Sequence, residues 1–103
     1  MDPNLADWLG ATPLHHCART DNVEQAEVFV DHGAQLDVRD DEYQSTPLAW
    51  AARLDKRRTV EFLLLRGAKL SLPDDLPWAT PMAWATRRGH AEIVNLLQQH
   101  GVR

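Results

Sequence analysis

The chain repeats itself with a period of 34 residues, and no other feature of the sequence constrains the fold as strongly. Three independent markers share this period: a Thr-Pro pair, a glycine that follows 21 residues after the threonine, and an aspartate. The markers are Thr12, Thr46 and Thr80, then Gly33, Gly67 and Gly101, and lastly Asp7, Asp41 and Asp75. Self-similarity at a fixed period of this length predicts an array of stacked units rather than a single globular core.

Each unit has the pattern of two helices joined by a short turn. Threonine begins a helix well because its hydroxyl accepts from a free backbone N–H, and proline suits the first helical position because no N–H is needed there. Apolar residues follow at i, i+3 and i+4, as in Leu14, Cys17 and Ala18, which predicts one buried helical face. A second apolar stripe follows a short polar break. The glycine beyond it is predicted to end the second helix in a left-handed conformation.

The segments TPLHHCA, TPLAWAA and TPMAWAT, together with GHAEIVNLL near the C-terminus, resemble the ankyrin repeat family. The resemblance covers roughly residues 2–103. It implies an all-α fold, an ankyrin-type α-solenoid of stacked helix-turn-helix repeats with short β-hairpin-like fingers and a concave groove. One domain is then expected over residues 1–103. Its parts are an N-terminal finger or partial repeat (1–11), repeat 1 (12–45), repeat 2 (46–79) and repeat 3 (80–103).

Two departures from the family pattern lead to structural expectations. The family period is about 33 residues, so one extra residue is expected in each finger, before Asp41 and before Asp75. The turn between the two helices usually carries glycine, which is kept here only at Gly89. Asp21 and Asp55 occupy the equivalent positions, so each must adopt a positive φ or form a different turn.

The two ends of the array differ. Gln98 lies in a position that is apolar in the preceding units, and a polar outer face predicts a C-terminal capping repeat over residues 80–103. The first unit resembles an internal repeat, which favours the C-terminal end of a longer array. In the alternative, the chain is a complete three-repeat protein in which Leu5, Trp8 and Leu9 fold over the exposed end.

Composition argues against several classes of protein. No apolar run approaches ~18 residues, so no transmembrane helix is predicted, and the N-terminus lacks the pattern of a secretory signal. Cys17 is the only cysteine, which rules out a disulfide within the chain and suits a reducing compartment, so a cytoplasmic location is expected. Gly-rich phosphate loops and hydrolase and metalloprotease motifs are missing from the sequence. We therefore predict neither enzymatic activity nor a cofactor.

His15, His16 and Cys17 stand side by side, which raises the question of a metal site or a Cys-His nucleophile. Neighbouring residues of a helix point about 100° apart, so these three side chains cannot converge on one ion. The resemblance to the family implies that His15 is a structural hydrogen-bonding residue near the start of the helix. It also implies that Cys17 is a small residue of the core.

Charge is divided unevenly along the chain, with a net charge of −8 over residues 1–52 and +4 over residues 53–103. Such a field can orient the approach of a partner, although uneven drift of solvated surface charge is the simpler explanation. Tryptophans near the basic half could stack on nucleic-acid bases, but the acidic first half and the low overall pI argue against nucleic acid. The expected partner is a protein or peptide, with no membrane and with a monomer or weak self-association.

Aromatic residues and arginines recur at equivalent positions of the first helices, on a different face from the apolar stripe. The resemblance implies that this face looks toward the concave groove, and Trp and Arg are the residue types most enriched in binding hot spots. In the alternative, Trp50 and Trp84 fill the gap between helix and finger as core residues, and the stems of the arginines cover them. The candidate partner-binding residues are Trp8, His16, Arg19, Tyr43, Ser45, Trp50, Arg53, Leu54, Trp78, Trp84, Arg87 and Arg88.

The sequence therefore predicts a non-enzymatic protein–protein interaction scaffold that binds a partner protein or peptide through the concave helix face and the finger tips. The alternative is a structural or assembly module that stacks through its N-terminal end face, as the C-terminal fragment of a longer array.

Overall fold

The computed structural model describes residues 2–101, and it contains six α-helices in three consecutive pairs. The helices are α1 (Pro13–Thr20), α2 (Val23–Asp31), α3 (Pro47–Arg53), α4 (Arg57–Leu65), α5 (Pro81–Arg87) and α6 (Ala91–Gly101). The prediction of an all-α stack of helix-turn-helix units is confirmed. None of these helices is long and apolar enough to cross a membrane.

The first helix of each pair starts where the Thr-Pro pattern predicts. Thr46 Oγ1 accepts from the Ala49 backbone N–H at 3.2 Å, and Thr80 Oγ1 accepts from that of Ala83 at 3.1 Å. Proline occupies the next position in all three first helices, where a missing N–H costs nothing. The threonines of the second and third units therefore fix where those units begin.

The turn between the two helices of a pair contains one residue in the left-handed region. This residue is Asp21 (φ 55°) in the first pair, Asp55 (φ 59°) in the second and Gly89 (φ 73°) in the third. The two aspartates thus take the positive φ that the sequence left as one of two options. Asp21 also ties two units together, since its Oδ1 accepts from the backbone N–H of Thr59 at 3.1 Å and from its hydroxyl at 2.7 Å.

Two of the three glycines end the second helices as predicted. Gly33 (φ 95°) and Gly67 (φ 94°) are left-handed. The N–H of the alanine after each glycine reaches back to a helix carbonyl, as in Ala34 to Phe29 at 3.0 Å. The prediction is wrong for Gly101, which is the last residue of α6. Helix α6 has 11 residues where α2 and α4 have nine, so its hydrogen bonding continues to the position at which the others turn.

The core is a continuous layer in which each first helix packs on its neighbours and on its own second helix. The apolar stripes of α1 and α3 are fully buried, whereas in α5 the stripe is incomplete because Thr86 is exposed. Gln98 is exposed as well. The fully buried aliphatic side chains from all three units are Leu14, Leu48, Val60, Leu63, Ile93 and Leu97.

Ion pairs between neighbouring second helices explain part of the uneven charge. Each pair joins residues 34 or 35 positions apart, so a carboxylate and an arginine of neighbouring units meet. The pairs are Glu24–Arg58, Asp31–Arg66 and Arg57–Glu92. Two of these pairs, Glu24–Arg58 and Asp31–Arg66, join the acidic first half to the basic second half within the molecule. Neither simple drift nor steering of a partner is needed to explain these residues.

The segments between units, which we call fingers, are hydrogen-bonded turns, and residues 2–101 contain no β-strand. In the finger before α3, Asp40 accepts from the backbone N–H groups of Tyr43 at 2.8 Å and Ser45 at 3.0 Å. Asp7 does the same before α1, where it accepts from Leu9 at 2.9 Å and Ala11 at 3.0 Å. Asp40, rather than Asp41, is therefore the structural counterpart of Asp7.

This equivalence corrects the predicted position of the extra finger residue. The insertion lies after the aspartate, between Asp40 and Ser45, and the stretch contains Gln44 in a left-handed conformation (φ 52°). Counting by the 34-residue period pairs Asp7 with Asp41. The period alone does not show that Asp40, one residue earlier, accepts the two backbone hydrogen bonds of the finger. The next finger is built differently, because Asp75 accepts from the Leu72 N–H and from Arg39.

Candidate functional site

The first helices and the fingers together form a cluster of aromatic rings and arginines. Tyr43, on the finger before α3, lies between two tryptophans, with its ring centroid 5.9 Å from Trp50 and 6.0 Å from Trp84. Trp78, on the next finger, lies 6.1 Å from Trp84. All three contacts are close to perpendicular, which is the edge-to-face arrangement that aromatic pairs favour.

Two arginines lie against these rings. The Arg53 guanidinium carbon is 4.3 Å from the Tyr43 ring centroid and 5.4 Å from that of Trp84. The Arg87 guanidinium carbon is also near Trp84, at 4.3 Å from its ring centroid. Arg87 Nη2 donates to the Trp78 carbonyl oxygen at 2.8 Å. Cation–π contacts and a backbone hydrogen bond thus hold both guanidinium groups in place.

We call the accessible part of this cluster the aromatic–arginine surface. Its members are half-buried or exposed, and each touches at least one other member or Trp50. They are His16, Tyr43, Arg53, Trp78, Trp84 and Arg87.

Two predicted site residues are buried beneath this surface. Trp50 is 8% exposed, and its Nε1–H donates to Asp40 Oδ1 at 3.0 Å. Ser45 is 1% exposed, and its hydroxyl accepts from Trp84 Nε1–H at 2.9 Å while lying 2.9 Å from the Ala79 carbonyl oxygen. Both residues fix the surface from below and offer little area of their own. The packing interpretation thus describes Trp50, and Trp84 is both packed and accessible.

A carboxylate beside the first-helix ring of the first two units is the feature that sequence reasoning missed. Asp40 supports Trp50, and Asp7 supports His16 in the same way, with His16 Nε2 at 3.1 Å from Asp7 Oδ2. The hydrogen bond from the Ala11 N–H contributes most to holding the pKa of Asp7 below its ordinary value. Desolvation opposes this shift, and the Leu9 N–H and the His16 ring support it. An aspartate five or six residues before each Thr-Pro pair was the available signal.

The neighbouring histidine and cysteine are structural. His15 is fully buried; its Nδ1 accepts from the Thr12 N–H at 2.9 Å, and its Nε2 lies 2.8 Å from the Ser45 carbonyl oxygen, to which it donates. Burial lowers the pKa of His15, so the ring stays neutral. Burial also raises the pKa of the Cys17 thiol. No group of three potential ligands in residues 2–101 could hold a metal ion.

The other predicted site residues lie outside the cluster. Trp8 is 89% exposed on the first finger and has no aromatic neighbour within the described part of the chain. Leu54 is half-buried at the end of α3, and Arg19 and Arg88 are exposed at the ends of α1 and α5. The structure thus gathers six of the predicted residues at one surface and two beneath it, and it leaves these four around the edge.

The N-terminal end of the stack carries an open groove of about 540 Å³. Its lining combines the apolar residues Leu5, Pro13, Cys17 and Phe29 with the polar side chains of Asp7, His16, Arg19 and Gln25. Leu5 is 69% exposed, and Trp8 is more exposed still. The alternative in which Leu5, Trp8 and Leu9 fold over the end is not supported by Leu5 and Trp8, which are exposed, whereas Leu9 is half-buried. Asn4 holds this segment through hydrogen bonds with Gly33 and Gln35.

Comparison with curated proteins gives no match. A family model described as ankyrin repeats, with three copies, matches residues 1–74. The match ends before α5 and α6, the pair that forms the third unit; α5 starts with the same Thr-Pro pattern at the same period. The match covers well over half of the chain, and the structure is a stack of helix-turn-helix units. The chain therefore belongs to the ankyrin repeat family, whose members are generally protein–protein interaction modules and typically have no enzymatic activity.

Proposed function

We propose that the aromatic–arginine surface binds a partner protein or peptide, and that the chain acts as a non-enzymatic interaction scaffold. The observation that carries this proposal is the presence of accessible tryptophans and arginines that are already fixed in place. Trp78 is 42% exposed, and Trp84 is held by its hydrogen bond to Ser45. Arg53 and Arg87 are held against the rings.

Fixed side chains favour binding because little conformational entropy is lost when the partner arrives. The hydrogen bonds beneath the surface cross from one unit to the next, as in Trp84 to Ser45 and His15 to Ser45. The surface is therefore part of the stack rather than a flexible loop. Trp8, Arg19, Leu54 and Arg88 extend the proposed contact area at its edges.

The test is a selection of binders from a random peptide library that is displayed on phage and panned against the intact chain. The affinity of each selected peptide is then measured for Trp78→Ala and Arg87→Ala, both at accessible positions, and for the control Leu65→Ala on α4. Leu65 is 80% exposed and lies away from the first helices. We expect the first two variants to weaken binding by about tenfold or more each and the control to have no effect. Binders that respond equally to all three variants would refute the proposal.

A second candidate function rests on a different observation, the open groove at the N-terminal end of the stack. The apolar residues Pro13 and Phe29 in its lining suit stacking against another domain or another copy of the chain. Light scattering over a concentration series tests association between copies. This assembly role is favoured if the solution mass of the chain rises with concentration and the mass of the Phe29→Ser variant stays at that of the monomer. A constant mass would leave only a different domain as the stacking partner.

A further inference from the structure

The eight arginines of residues 2–101 fall into two groups of four. Each member of the first group lies within 4.0 Å of a carboxylate oxygen, and these are Arg39, Arg57, Arg58 and Arg66. No carboxylate within residues 2–101 lies that close to any member of the second group, which consists of Arg19, Arg53, Arg87 and Arg88. All four unpaired arginines lie on the first helices or directly after α5. Within residues 2–101, the arginines without a carboxylate partner are therefore those on or directly after the first helices, which carry the proposed binding face.

Arg53 and Arg87 are brought together by the same ring. The two guanidinium carbons lie 5.4 Å and 4.3 Å from the Trp84 centroid, so two like charges lie within about 10 Å of each other on a partly apolar surface. A guanidinium has five N–H donors, and each of these arginines has one hydrogen bond within the described residues, Arg53 to the Tyr43 hydroxyl at 3.4 Å and Arg87 to the Trp78 carbonyl. Most of their donors remain available to an anion.

We propose that the partner of the aromatic–arginine surface is an acidic segment whose carboxylates pair with Arg53 and Arg87. This inference rests on the proposed function and adds the chemistry of the ligand. Carboxylates match the planar fork of the guanidinium group and can accept two parallel hydrogen bonds from it. An approaching carboxylate also relieves the repulsion between the two neighbouring cations. The exposed part of Trp78 provides an apolar contact beside them.

The geometry of the stack indicates how the carboxylates should be spaced. Packed helices lie about 8–10 Å apart, and the equivalent arginines of neighbouring units are carried by the adjacent helices α3 and α5. A peptide in the polyproline II conformation has three residues per turn and a rise of about 3.1 Å per residue. Glutamates at every third position therefore lie on one side, at intervals of about 9 Å. Such a peptide matches neighbouring units of the array.

The experiment uses two fluorescein-labelled peptides in a proline-rich background, one with Glu at every third position and one with Gln at the same positions. Fluorescence anisotropy gives the Kd of each for the intact chain at low and at physiological salt. We expect the Glu peptide to bind more tightly and its affinity to fall with added salt. Arg53→Gln and Arg87→Gln should each weaken it by about tenfold or more, as for a hydrogen bond to a charged group. Arg58→Gln, which removes a paired arginine on α4, should not.

Three results would overturn the inference: equal affinity for the Glu and Gln peptides, no binding of the Glu peptide at low salt, or equal losses in Arg58→Gln and Arg87→Gln. Arg87 is exposed, so its variant tests binding without disturbing the core, and far-UV circular dichroism verifies the fold of each variant. The library selection separates this inference from the proposed function. Selected peptides that depend on Trp78 and Arg87 but carry no excess of acidic residues would refute the acidic partner and leave the binding surface standing.

Discussion

Replacing Trp50 by Phe removes one hydrogen-bond donor from the interior while a ring stays in place beside His15 and Tyr43. The Trp50 Nε1–H donates to Asp40, a carboxylate that is 1% exposed and otherwise relies on the N–H groups of Tyr43 and Ser45. A hydrogen bond to a charged group contributes about 1.5–3 kcal/mol, and the smaller ring leaves a void that costs about 1 kcal/mol more. We expect Trp50→Phe to lower the free energy of unfolding by about 3 kcal/mol.

The matched control is the same substitution one unit later. Trp84 is only half-buried, and its indole N–H donates to the neutral hydroxyl of Ser45. A neutral hydrogen bond contributes about 0.5–1.5 kcal/mol, so Trp84→Phe should cost clearly less than Trp50→Phe. The residue change is identical and the two positions are equivalent in the repeat, so the variants differ in burial and in the hydrogen-bond acceptor, the Asp40 carboxylate for Trp50 and the Ser45 hydroxyl for Trp84.

The assay is urea unfolding followed by far-UV circular dichroism, with the slope of the transition compared between variants so that a loss of cooperativity is recognised. An equal or larger loss for Trp84→Phe would refute the reasoning, since it would mean that Asp40 does not depend on the indole. Trp50→Ala is expected to cost a further 3 kcal/mol or so by removing the ring, out of a total of about 5–15 kcal/mol for a domain. It is therefore unsuited to binding experiments.

Three further predictions concern pH and the backbone. The unfolded chain protonates His15 at its ordinary pKa of 6.5, whereas burial lowers the pKa of His15 in the folded state. The free energy of unfolding should therefore fall as the pH drops below 6.5, by at most about 1.4 kcal/mol per pH unit from this group. Urea titrations between neutral pH and pH ~5 measure this fall, and a fall no larger than that of a His15→Gln variant would contradict the prediction. Gly33→Ala should lower the free energy of unfolding by about 1 kcal/mol, seen as a lower thermal midpoint, because Gly33 is left-handed. Gly101→Ala should be neutral or stabilising because Gly101 is helical. Equal effects of the two variants would refute the corrected boundary of α6. Asp55→Gly should stabilise the protein by up to about 1 kcal/mol, because glycine adopts the positive φ of this position without strain. Asp21→Gly should destabilise the protein, because the Asp21 carboxylate also accepts two hydrogen bonds from the next unit. Calorimetry of both variants distinguishes the two roles.

The parts of the fold that the sequence predicts are those decided by a few neighbouring residues. Thr46 and Pro47 begin a helix by local chemistry alone, and Gly67 ends one because it is the residue that most readily adopts a left-handed conformation there. Repetition of these local signals, rather than any one of them, leads to the stack. The family and the helical architecture therefore follow from the sequence.

The remainder depends on contacts between units, which a repeated pattern does not reveal. Trp50 and Trp84 stand in nearly identical segments, yet Trp50 is buried and Trp84 half-buried, because Trp50 has a unit on either side. The role of Asp40 depends on a hydrogen-bonding geometry that differs by one residue from the period. The pairing of Arg58 with Glu24, in contrast, could be predicted, since residues one period apart lie side by side in a stack.

The ion pairs between second helices also mean that the three units are not interchangeable. Charge alternates from α2 to α4 to α6, and each helix is complementary only to its own neighbour. A second copy placed end to end in the same register would set Glu92 beside Glu24 and Gln99 beside His32, so it would meet a like charge where the chain itself has a salt bridge. Repetitive proteins with matching ends can polymerise into filaments. Here the order of the charges stabilises neighbouring units within one molecule and opposes the addition of a second copy in that one register.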